Sequence, residues 1–262
     1  MALRSPSPQV SEASVVDPTR IGIVIPSTNT TVEREVTRLP SDADWFATRV
    51  LQVETEDPAA KIDTVLAMRD ELDSACARLT GLGPVAIGFA CTAASFLDGL
   101  RSDLELCERL SVATGVPFLT ASRAVSQALA ALGTAKVALV TPYLDAVNEK
   151  EIAYFDQVGI RVVAASGLGI VGNLPKGRLP LSASAAAVRA LPLGDADAVF
   201  VSCTNWLTLG NIRALEAELR LPVVSSNSAL AWALLDAASI PAPKSLGRLR
   251  HVARPSAQGA AA

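Results

Sequence analysis

The segments PVAIGFACTAASF (84–96) and DAVFVSCTNWLTLG (197–210) decide the fold of this chain. Each contains a short apolar run that ends in Cys-Thr, at Cys91 in the first segment and at Cys203 in the second. A continuous apolar run of this length is typical of a strand buried in a parallel sheet. Because one segment lies in each half of the 262-residue chain, the sequence predicts two similar halves that each carry a thiol where a strand ends and a helix begins.

The remaining strands and helices recur in the same order in both halves. IGIVIP (21–26) and KVALVTP (136–142) begin the two halves as strands, and helical stretches such as the amphipathic segment 61–83 separate one strand from the next. Strands that alternate with helices form parallel β-α-β units. We therefore predict an α/β fold of two similar lobes related by a pseudo-twofold axis, each a short, mostly parallel sheet flanked by helices.

The domain boundaries follow from this repeat and from composition. Residues 1–18 are polar and rich in proline and serine, so we expect a flexible leader. We assign residues 19–125 to a first α/β lobe and 126–225 to a second. The helix within 226–245 is expected to return to the first lobe and complete it. Residues 246–262 are expected to form a flexible tail.

Composition and charge exclude several classes of function. The net charge is −3 and no basic block is present, which argues against a nucleic-acid partner. No apolar run reaches the roughly 18–20 residues that span a bilayer, so we expect no membrane partner. The sequence lacks phosphate-binding loops and metal-ligand spacings, and we expect no cofactor and no metal. We expect a cytoplasmic homo-oligomer, a dimer, whose four cysteines stay reduced.

Polar residues gather where the predicted strands end. In open α/β sheets, ligands bind beyond the carboxyl ends of the strands. Hydroxyls, amides and the N–H groups of helix N-termini at these ends favour a negatively charged ligand. Asn29 also suits the role of a helix cap. Tyr143 also suits a packing role, and Asn173 also suits a turn. The candidate substrate-binding residues are Ser27, Asn29, Thr92, Tyr143, Asn173 and Thr204.

The two strand-end cysteines are the candidate catalytic residues. A helix N-terminus lowers the pKa of a thiol, and the thiolate is the reactive form. We therefore expect Cys91 and Cys203 to act as nucleophiles or proton carriers. A free cysteine also serves as a small buried apolar residue, and this is the role we expect for Cys76 and Cys107, which lie in helical patterns. The only histidine, His251, lies in the predicted tail, which argues against a Cys–His mechanism.

Several motifs resemble the aspartate/glutamate racemase superfamily, whose members use two cysteines at a pseudo-twofold interface without a cofactor. Within that superfamily, VIPSTNTTVERE, GFACTAAS, TPYLDAVNEKE, GIVGN and VSCTNW are most similar to the maleate cis-trans isomerases. The resemblance extends over residues 21–228.

This resemblance implies a specific chemistry. Cys91 would add to an alkene carbon of maleate and form a covalent succinyl-cysteine species. Rotation about the new single bond and elimination would then release fumarate. Cys203 would assist from the opposite face of the substrate, and Asn29, Tyr143 and Asn173 would hold the two carboxylates. The implied partner is thus a small dicarboxylate substrate.

Three other functions remain open. A racemase of amino acids or hydantoins would use the two thiols as an acid/base pair, one on each face of the substrate. The neutral donors at the strand ends favour a dianion over such a substrate. An arylmalonate-type decarboxylase resembles this fold but keeps only the cysteine of the second half, so Cys91 argues against it. The third alternative is a non-catalytic binding protein that retains the cleft.

Overall fold

Eight short strands form two separate sheets within residues 18–255, the part of the chain that this computed structural model describes. The first sheet is built from β1 (Thr19–Pro26), β2 (Ala43–Val50), β3 (Ala86–Phe89) and β4 (Phe118–Thr120). The second sheet is built from β5 (Lys136–Thr141), β6 (Arg161–Gly167), β7 (Ala198–Val201) and β8 (Val223–Ser225).

The two sheets have the same topology. The strand order is β2-β1-β3-β4 in the first sheet and β6-β5-β7-β8 in the second, and all strand pairs are parallel. The central pairs also correspond in register, since Ile21 pairs with Ala86 in one sheet and Val137 with Ala198 in the other. The predicted two-lobed α/β fold with parallel sheets is confirmed.

Helices connect the strands and cover the sheets. In residues 18–255 the α-helices are α1 (Val32–Val36), α2 (Lys61–Leu66), α3 (Leu72–Thr80), α4 (Thr92–Phe96), α5 (Gly99–Thr114), α6 (Ala121–Ala131), α7 (Asp145–Gln157), α8 (Asn173–Gly177), α9 (Leu181–Ala190), α10 (Ile212–Leu219) and α11 (Ser226–Ala237). Short 3-10 segments span Ala67–Glu71, Leu209–Asn211 and Lys244–His251. The stretch 61–83, predicted as one amphipathic helix, is therefore divided into α2, a 3-10 segment and α3.

The central strands β1 and β5 are covered on both faces. In β1 the residues Ile21, Ile23 and Val24 are at most 1% exposed, and in β5 the residues 137–140 are fully buried. This explains why both strands are continuous apolar runs, since a parallel strand with helices on both faces has no solvent side. The edge strands β2 and β6 retain exposed positions along their length.

Helix α11 follows the last strand of the second sheet but packs on the first lobe, against α6, β3 and β4. Its close approach to β3 requires Gly88, because a Cβ at this position would lie 2.6 Å from Leu234 Cδ1 and 3.1 Å from Leu230 Cδ1. The sheet and the helix thus meet where β3 has no side chain. The assignment of residues 226–245 to the first lobe and the exact lobe boundaries stay predictions.

The C-terminal region differs from the prediction of a flexible tail from residue 246. Leu246 and Leu249 are buried, at 0% and 1% exposure, and the 3-10 segment that carries them packs on α10. The indole N–H of Trp232 in α11 also donates to the carbonyl of Val252 at 3.1 Å. Burial of two leucines and the hydrogen bond from the Trp232 side chain to a backbone carbonyl therefore order this segment. The predicted leader, up to residue 17, and residues 256–262 of the predicted tail lie outside the described residues.

Across residues 18–255, no helix is long and apolar enough to cross a membrane.

Candidate active site

Cys91 and Cys203 occupy equivalent positions in the two lobes. Cys91 lies between β3 and α4, and Cys203 follows β7 after a single intervening residue. Both residues are buried, with 8% and 4% exposure, and both side chains line the same cavity. The two thiols predicted from the sequence therefore reach a common site from opposite lobes. The four cysteines of the chain are all free thiols.

Cys91 is the N-cap residue of α4. Its backbone is extended, with φ −141° and ψ 101°, and its carbonyl accepts a hydrogen bond from Ser95 Oγ at 2.7 Å. The residues that follow, Thr92 and Ala93, start the helix immediately after the strand, which points the free N–H groups of the first turn toward the strand end. The thiol thus lies where the sequence predicted it, at the junction of a buried strand and a helix.

Cys203 has a strained backbone. Its φ is +98°, in the region that favours glycine and is unfavourable for a residue with a side chain. The Cys203 N–H donates to Ser226 Oγ at 3.0 Å, and Thr92 Oγ1 donates to the same oxygen at 2.9 Å. Ser226, the first residue of α11, therefore connects the two cysteine-bearing loops and helps to hold Cys203 in this conformation.

The cavity encloses about 540 Å³, including its opening to solvent. Five of the six predicted substrate-binding residues line it, and the sixth, Ser27, does not. Ser27 is exposed, and its Oγ accepts the backbone N–H of Gln52 at 2.9 Å. Gln52 does line the cavity. Ser27 therefore positions a lining residue and does not itself line the cavity, whereas we had expected a substrate contact. The five predicted residues in the lining are Asn29, Thr92, Tyr143, Asn173 and Thr204.

Asn29 binds the start of a helix and also lines the cavity. Its Oδ1 accepts the N–H groups of Thr31 and Val32, at 2.9 and 3.1 Å, and so satisfies the start of α1. Its Nδ2 donates across the lobe boundary to Thr204 Oγ1 at 3.1 Å. Capping and lining the cavity are therefore compatible in one side chain.

Asn173 also connects the lobes, but it donates its hydrogen bonds from the second lobe to the first. It starts α8 in the second lobe, and its Nδ2 donates to Thr28 Oγ1 at 2.8 Å and to Gln52 Oε1 at 3.0 Å in the first lobe. Its backbone carbonyl accepts from Asn205 Nδ2 at 2.8 Å. The polar side of the cavity is thus a network of amides and hydroxyls drawn from both lobes.

Tyr143 closes another side of the cavity. It is 5% exposed, its ring packs edge-on against Phe96 with centroids 6.2 Å apart, and Lys176 Nζ lies 5.2 Å from its ring centroid. Burial raises the pKa of the phenol well above its usual value, so the hydroxyl keeps its proton and is available as a donor.

Two buried lysines in the lining were missed by the sequence analysis. Lys61, at the start of α2, is 4% exposed, and Lys176, in α8, is 3% exposed. Neither carries a signal in the sequence, because a lysine near a helix terminus is ordinarily solvated. Lys176 does follow Asn173 closely, and this proximity to a candidate site residue was the only available hint.

The thiol pKa values correct the expectation of a lowered pKa. Burial raises the pKa of Cys91 to about 12, although the N–H of Ala94 in α4 acts in the opposite direction. Burial likewise raises the pKa of Cys203, although Lys176 lowers it. The helix N-terminus exerts the predicted effect on Cys91, but desolvation outweighs it. Without a ligand, both sulfurs therefore hold their protons at neutral pH.

The remaining lining residues are mostly apolar and form an apolar wall of the cavity. Among residues 18–255, the lining of this cavity contains no histidine, aspartate or glutamate. Its charged members are therefore both cationic. The apolar members are Pro26, Ile62, Val65, Ala93, Leu97, Leu144, Val147 and Ile170.

Comparison with known proteins identifies relatives that cover nearly the whole chain. A maleate isomerase of Nocardia farcinica is 30% identical over 241 residues, which are 88% of this chain and 94% of the relative. An arylmalonate decarboxylase of Bordetella bronchiseptica is 32% identical over 216 residues, 81% of this chain and 87% of the relative.

Solved structures show the same architecture. A mutant of the Nocardia farcinica maleate cis-trans isomerase with a covalently bound succinylcysteine intermediate superposes with a TM-score of 0.80 and 27% identity. The match covers 87% of this chain and 98% of that chain. The resemblance to maleate isomerases expected from the motifs is confirmed, and with it the expectation of an isomerase-like enzyme.

The family model described as arylmalonate decarboxylase matches residues 21–250, from β1 to the C-terminal 3-10 segment. The match includes both strand-end cysteines and both sheets. Since it spans most of the chain, and since the two relatives span it as well, this protein belongs to the arylmalonate decarboxylase family, which the model defines.

Proposed function

We propose that this protein isomerises maleate to fumarate through a covalent succinyl-cysteine intermediate on Cys91. One observation carries the proposal: Cys91 and Cys203, from opposite lobes, line a single cavity together with amide and cationic groups. A double bond does not rotate thermally, and covalent addition of a nucleophile lowers its bond order. A thiol on each side of the alkene supplies both groups that such an addition needs.

The proposed reaction balances within the pair of cysteines. The Cys91 thiolate forms a carbon–sulfur bond with one alkene carbon, and the other alkene carbon takes the proton of Cys203. The former double bond is now single and rotates. Cys203, now a thiolate, removes the proton, the carbon–sulfur bond breaks, and fumarate leaves. Before the cycle the Cys91 thiol releases its proton to solvent, because both sulfurs are protonated in the ligand-free protein. From then on the pair carries one proton and one negative charge before and after each turnover, and no oxidant or reductant is consumed.

The environment of the thiols suits a nucleophilic role for Cys91 and an acid role for Cys203. Two buried thiols that share one site titrate as a coupled pair, and the second ionisation is opposed by the charge of the first. Burial and then the charge of Cys203 raise the pKa of Cys91, while Lys61 and Lys176 lower it. Burial and then Glu151 raise the pKa of Cys203, while Lys176 lowers it. Once the pair has lost one proton, which the nearby lysines favour, one sulfur is the nucleophile and the other is the acid.

The amide and phenol donors would hold the carboxylates. We propose that Asn29, Tyr143 and Asn173 contact the substrate, with Thr92 and Thr204 next to the sulfurs. Donors arranged in a buried cavity stabilise charge that develops during the reaction, here an enolate-like carboxylate on the carbon beside the sulfur adduct. The covalent succinylcysteine found in the Nocardia farcinica isomerase supports the same intermediate here.

The decisive experiment combines turnover with mass measurement. Purified protein is mixed with maleate, loss of maleate is followed by ultraviolet absorbance, and fumarate is identified by NMR. A sample quenched during turnover should gain one substrate mass on the peptide that contains Cys91, and the peptide that contains Cys107 serves as the internal control. Turnover without any adduct would disprove the covalent route, and absence of turnover would disprove the function.

A second candidate function is decarboxylation of an arylmalonate. The apolar wall formed by residues such as Ile62, Val65 and Leu97 suits an aryl group, and a decarboxylase is among the relatives. The presence of a cysteine in each lobe favours isomerisation, since the decarboxylases that the fold resembles keep only the second one. Release of carbon dioxide from phenylmalonate, at a rate above that of maleate turnover, would favour this alternative.

The lining argues against the racemase. An amino-acid substrate carries an ammonium group, which the buried ammonium groups of Lys61 and Lys176 repel. Deuterium exchange at the α-carbon of aspartate or glutamate would reinstate the racemase. The last alternative is a binding protein without catalytic activity. It predicts that replacing both strand-end cysteines leaves the measured turnover of every candidate substrate unchanged.

We retain a cytoplasmic homodimer as part of the proposal. Free thiols in all four cysteine positions suit a reducing compartment. Light scattering coupled to size exclusion measures whether the mass corresponds to two chains.

A further inference from the structure

We propose that Lys61 and Lys176 form a pair of cationic contacts, one from each lobe, which makes the cavity selective for a doubly charged dicarboxylate. The inference rests on the proposed function only in assigning a dicarboxylate to this cavity. It adds the residues that recognise the two negative charges, and it concerns binding, which can be measured apart from turnover.

Lys61 provides stronger evidence for the cationic pair than Lys176 does. It is 4% exposed, it lines the cavity, and its Nζ has no hydrogen-bond partner within residues 18–255. A buried ammonium without a partner is costly, and such a group persists in a fold when a ligand completes its contacts. The first turn of α2 brings its Nζ to a site that already contains a nucleophile and carboxylate-binding amides.

Lys176 reaches the same cavity from the second lobe. It is 3% exposed, and its Nζ donates to the carbonyl of Val171 at 3.2 Å and lies 5.2 Å from the ring centroid of Tyr143. These contacts orient the ammonium and leave donor capacity, because an ammonium has three N–H groups. Burial and the charge of Lys61 lower the pKa of Lys176 to about 8, so a bound anion favours its charged form.

No direct ion pair with a described protein group neutralises this positive charge. Within residues 18–255, neither lysine has a carboxylate within 4.0 Å. Glu54 is the carboxylate that acts on Lys176, from beyond ion-pair distance. Its Oε1 accepts the backbone N–H of Leu174 at 3.0 Å, its Oε2 has no hydrogen-bond partner within residues 18–255, and the residue does not line the cavity. A ligand with two negative charges neutralises the pair, and a ligand with one leaves an ammonium buried and unpaired.

The pairing also follows the symmetry of the fold. The first lobe contributes Cys91 and Lys61, and the second contributes Cys203 and Lys176. A symmetric four-carbon diacid placed between the two sulfurs has one carboxylate on each side of the reacting bond. One ammonium from each lobe therefore matches one carboxylate at each end of the substrate.

The test measures binding in the Cys91→Ala background, where the proposed adduct does not form. Calorimetric titration compares maleate with maleamate, in which one carboxylate is replaced by a neutral amide of the same shape. Each is titrated into the parent and into variants that also carry Lys61→Met or Lys176→Met. The control is Lys150→Met, which removes an exposed lysine on α7.

We expect either lysine substitution to weaken maleate binding about 10- to 100-fold, the range for loss of a charge-assisted hydrogen bond. Maleamate binding should change less than about 3-fold in at least one of the two variants, because one lysine then faces the neutral amide. Lys150→Met should change neither affinity. Maleate affinity unchanged in either lysine variant, or equal losses for both ligands in both variants, would overturn the proposal.

The outcomes separate this inference from the proposed function. Lysine-dependent binding of maleate by a wild-type protein that does not isomerise it would support the cationic pair and reject the reaction. Isomerisation with lysine-independent binding would support the reaction and reject the cationic pair. A parent that binds neither ligand would reject the pair as well.

Discussion

The backbone N–H of Cys203 donates to the hydroxyl of Ser226 at 3.0 Å. The same oxygen accepts the hydroxyl of Thr92, the residue after Cys91, at 2.9 Å. One serine at the start of α11 therefore joins the loops that carry the two cysteines. The separation of the sulfurs, on which the proposed addition depends, rests partly on this side chain.

Replacing Ser226 by alanine should reduce turnover of maleate by about 10-fold or more, because small displacements of reacting groups are costly in rate. It should also cost about 1–2 kcal/mol of stability, since a buried N–H and a buried hydroxyl lose their acceptor. Steady-state kinetics and urea unfolding measure the two effects. Ser126→Ala, which removes a buried hydroxyl in α6 that donates to Ser122, is the control and should keep full activity. Equal activity in both variants would contradict the proposed role.

The strained backbone of Cys203 leads to a prediction about stability. At φ +98°, glycine avoids the contact that a Cβ makes, so Cys203→Gly should be more stable than Cys203→Ala by about 1 kcal/mol. Both variants should lose most turnover, because both lack the proposed acid. Thermal unfolding measured side by side tests the order. A glycine variant less stable than the alanine variant would show that the surroundings, and not the backbone, set the cost.

The cysteines should divide into two classes when each is replaced by alanine. Cys91→Ala should abolish isomerisation, and Cys203→Ala should reduce it severely. Cys76 and Cys107 are buried in α3 and α5, away from the cavity, so their alanine variants should keep their activity and lose about 1 kcal/mol of stability. Turnover of maleate measures all four. Wild-type rates in Cys91→Ala would exclude the covalent assignment.

Glu151 gives the fold a pH dependence. Burial raises its pKa from 4.5 to about 8, even though Ser202 Oγ donates to its Oε1 at 2.6 Å. The folded state therefore holds a proton that the unfolded state releases, and stability should fall as the pH rises from about 4.5 to 8. The slope contributed by one such group is at most about 1.4 kcal/mol per pH unit.

Replacing Glu151 by glutamine should remove that slope. Urea unfolding at pH 6, 7 and 8 should give a flatter profile for Glu151→Gln than for the wild type, with the larger stabilisation at pH 8. The exposed neighbour Glu149, replaced in the same way, should leave the slope unchanged. Parallel profiles for the wild type and Glu151→Gln would show that this carboxyl ionises normally in the folded protein.

Lys61→Met should stabilise the ligand-free protein, by about 1–3 kcal/mol, while weakening the binding of a dicarboxylate. The buried ammonium has no hydrogen-bond partner within the described residues, and methionine fills similar space without a charge to desolvate. Thermal unfolding without ligand measures the gain, with Lys150→Met as the exposed control. A less stable Lys61→Met protein would indicate that the ammonium has compensating contacts in the free state.

The sequence was sufficient to predict the doubled sheet and the two strand-end thiols. Both follow from local patterns, since a short apolar run that ends in Cys-Thr specifies where a strand stops. The buried lysines did not follow, because Lys61 begins a helix and nothing local indicates that this end points into a cavity. The pKa of Cys91 depends on how much of the fold covers it, which no motif contains. Leu246 and Leu249 likewise give no local signal of burial, because their partner, α10, lies about 30 residues earlier in the chain.

The close packing of α11 on β3 at Gly88 determines whether the two halves of the chain can fold separately. The chain ends its second lobe by covering a strand of its first, so neither half contains all of its own core. A fragment that stops after β8 would leave the face of β3 bare beside Cys91, and a fragment that begins at β5 would carry a surplus apolar helix with nothing to cover. The repeat visible in the sequence is therefore no longer a pair of separable units, and we expect the halves to become soluble only when they are expressed together.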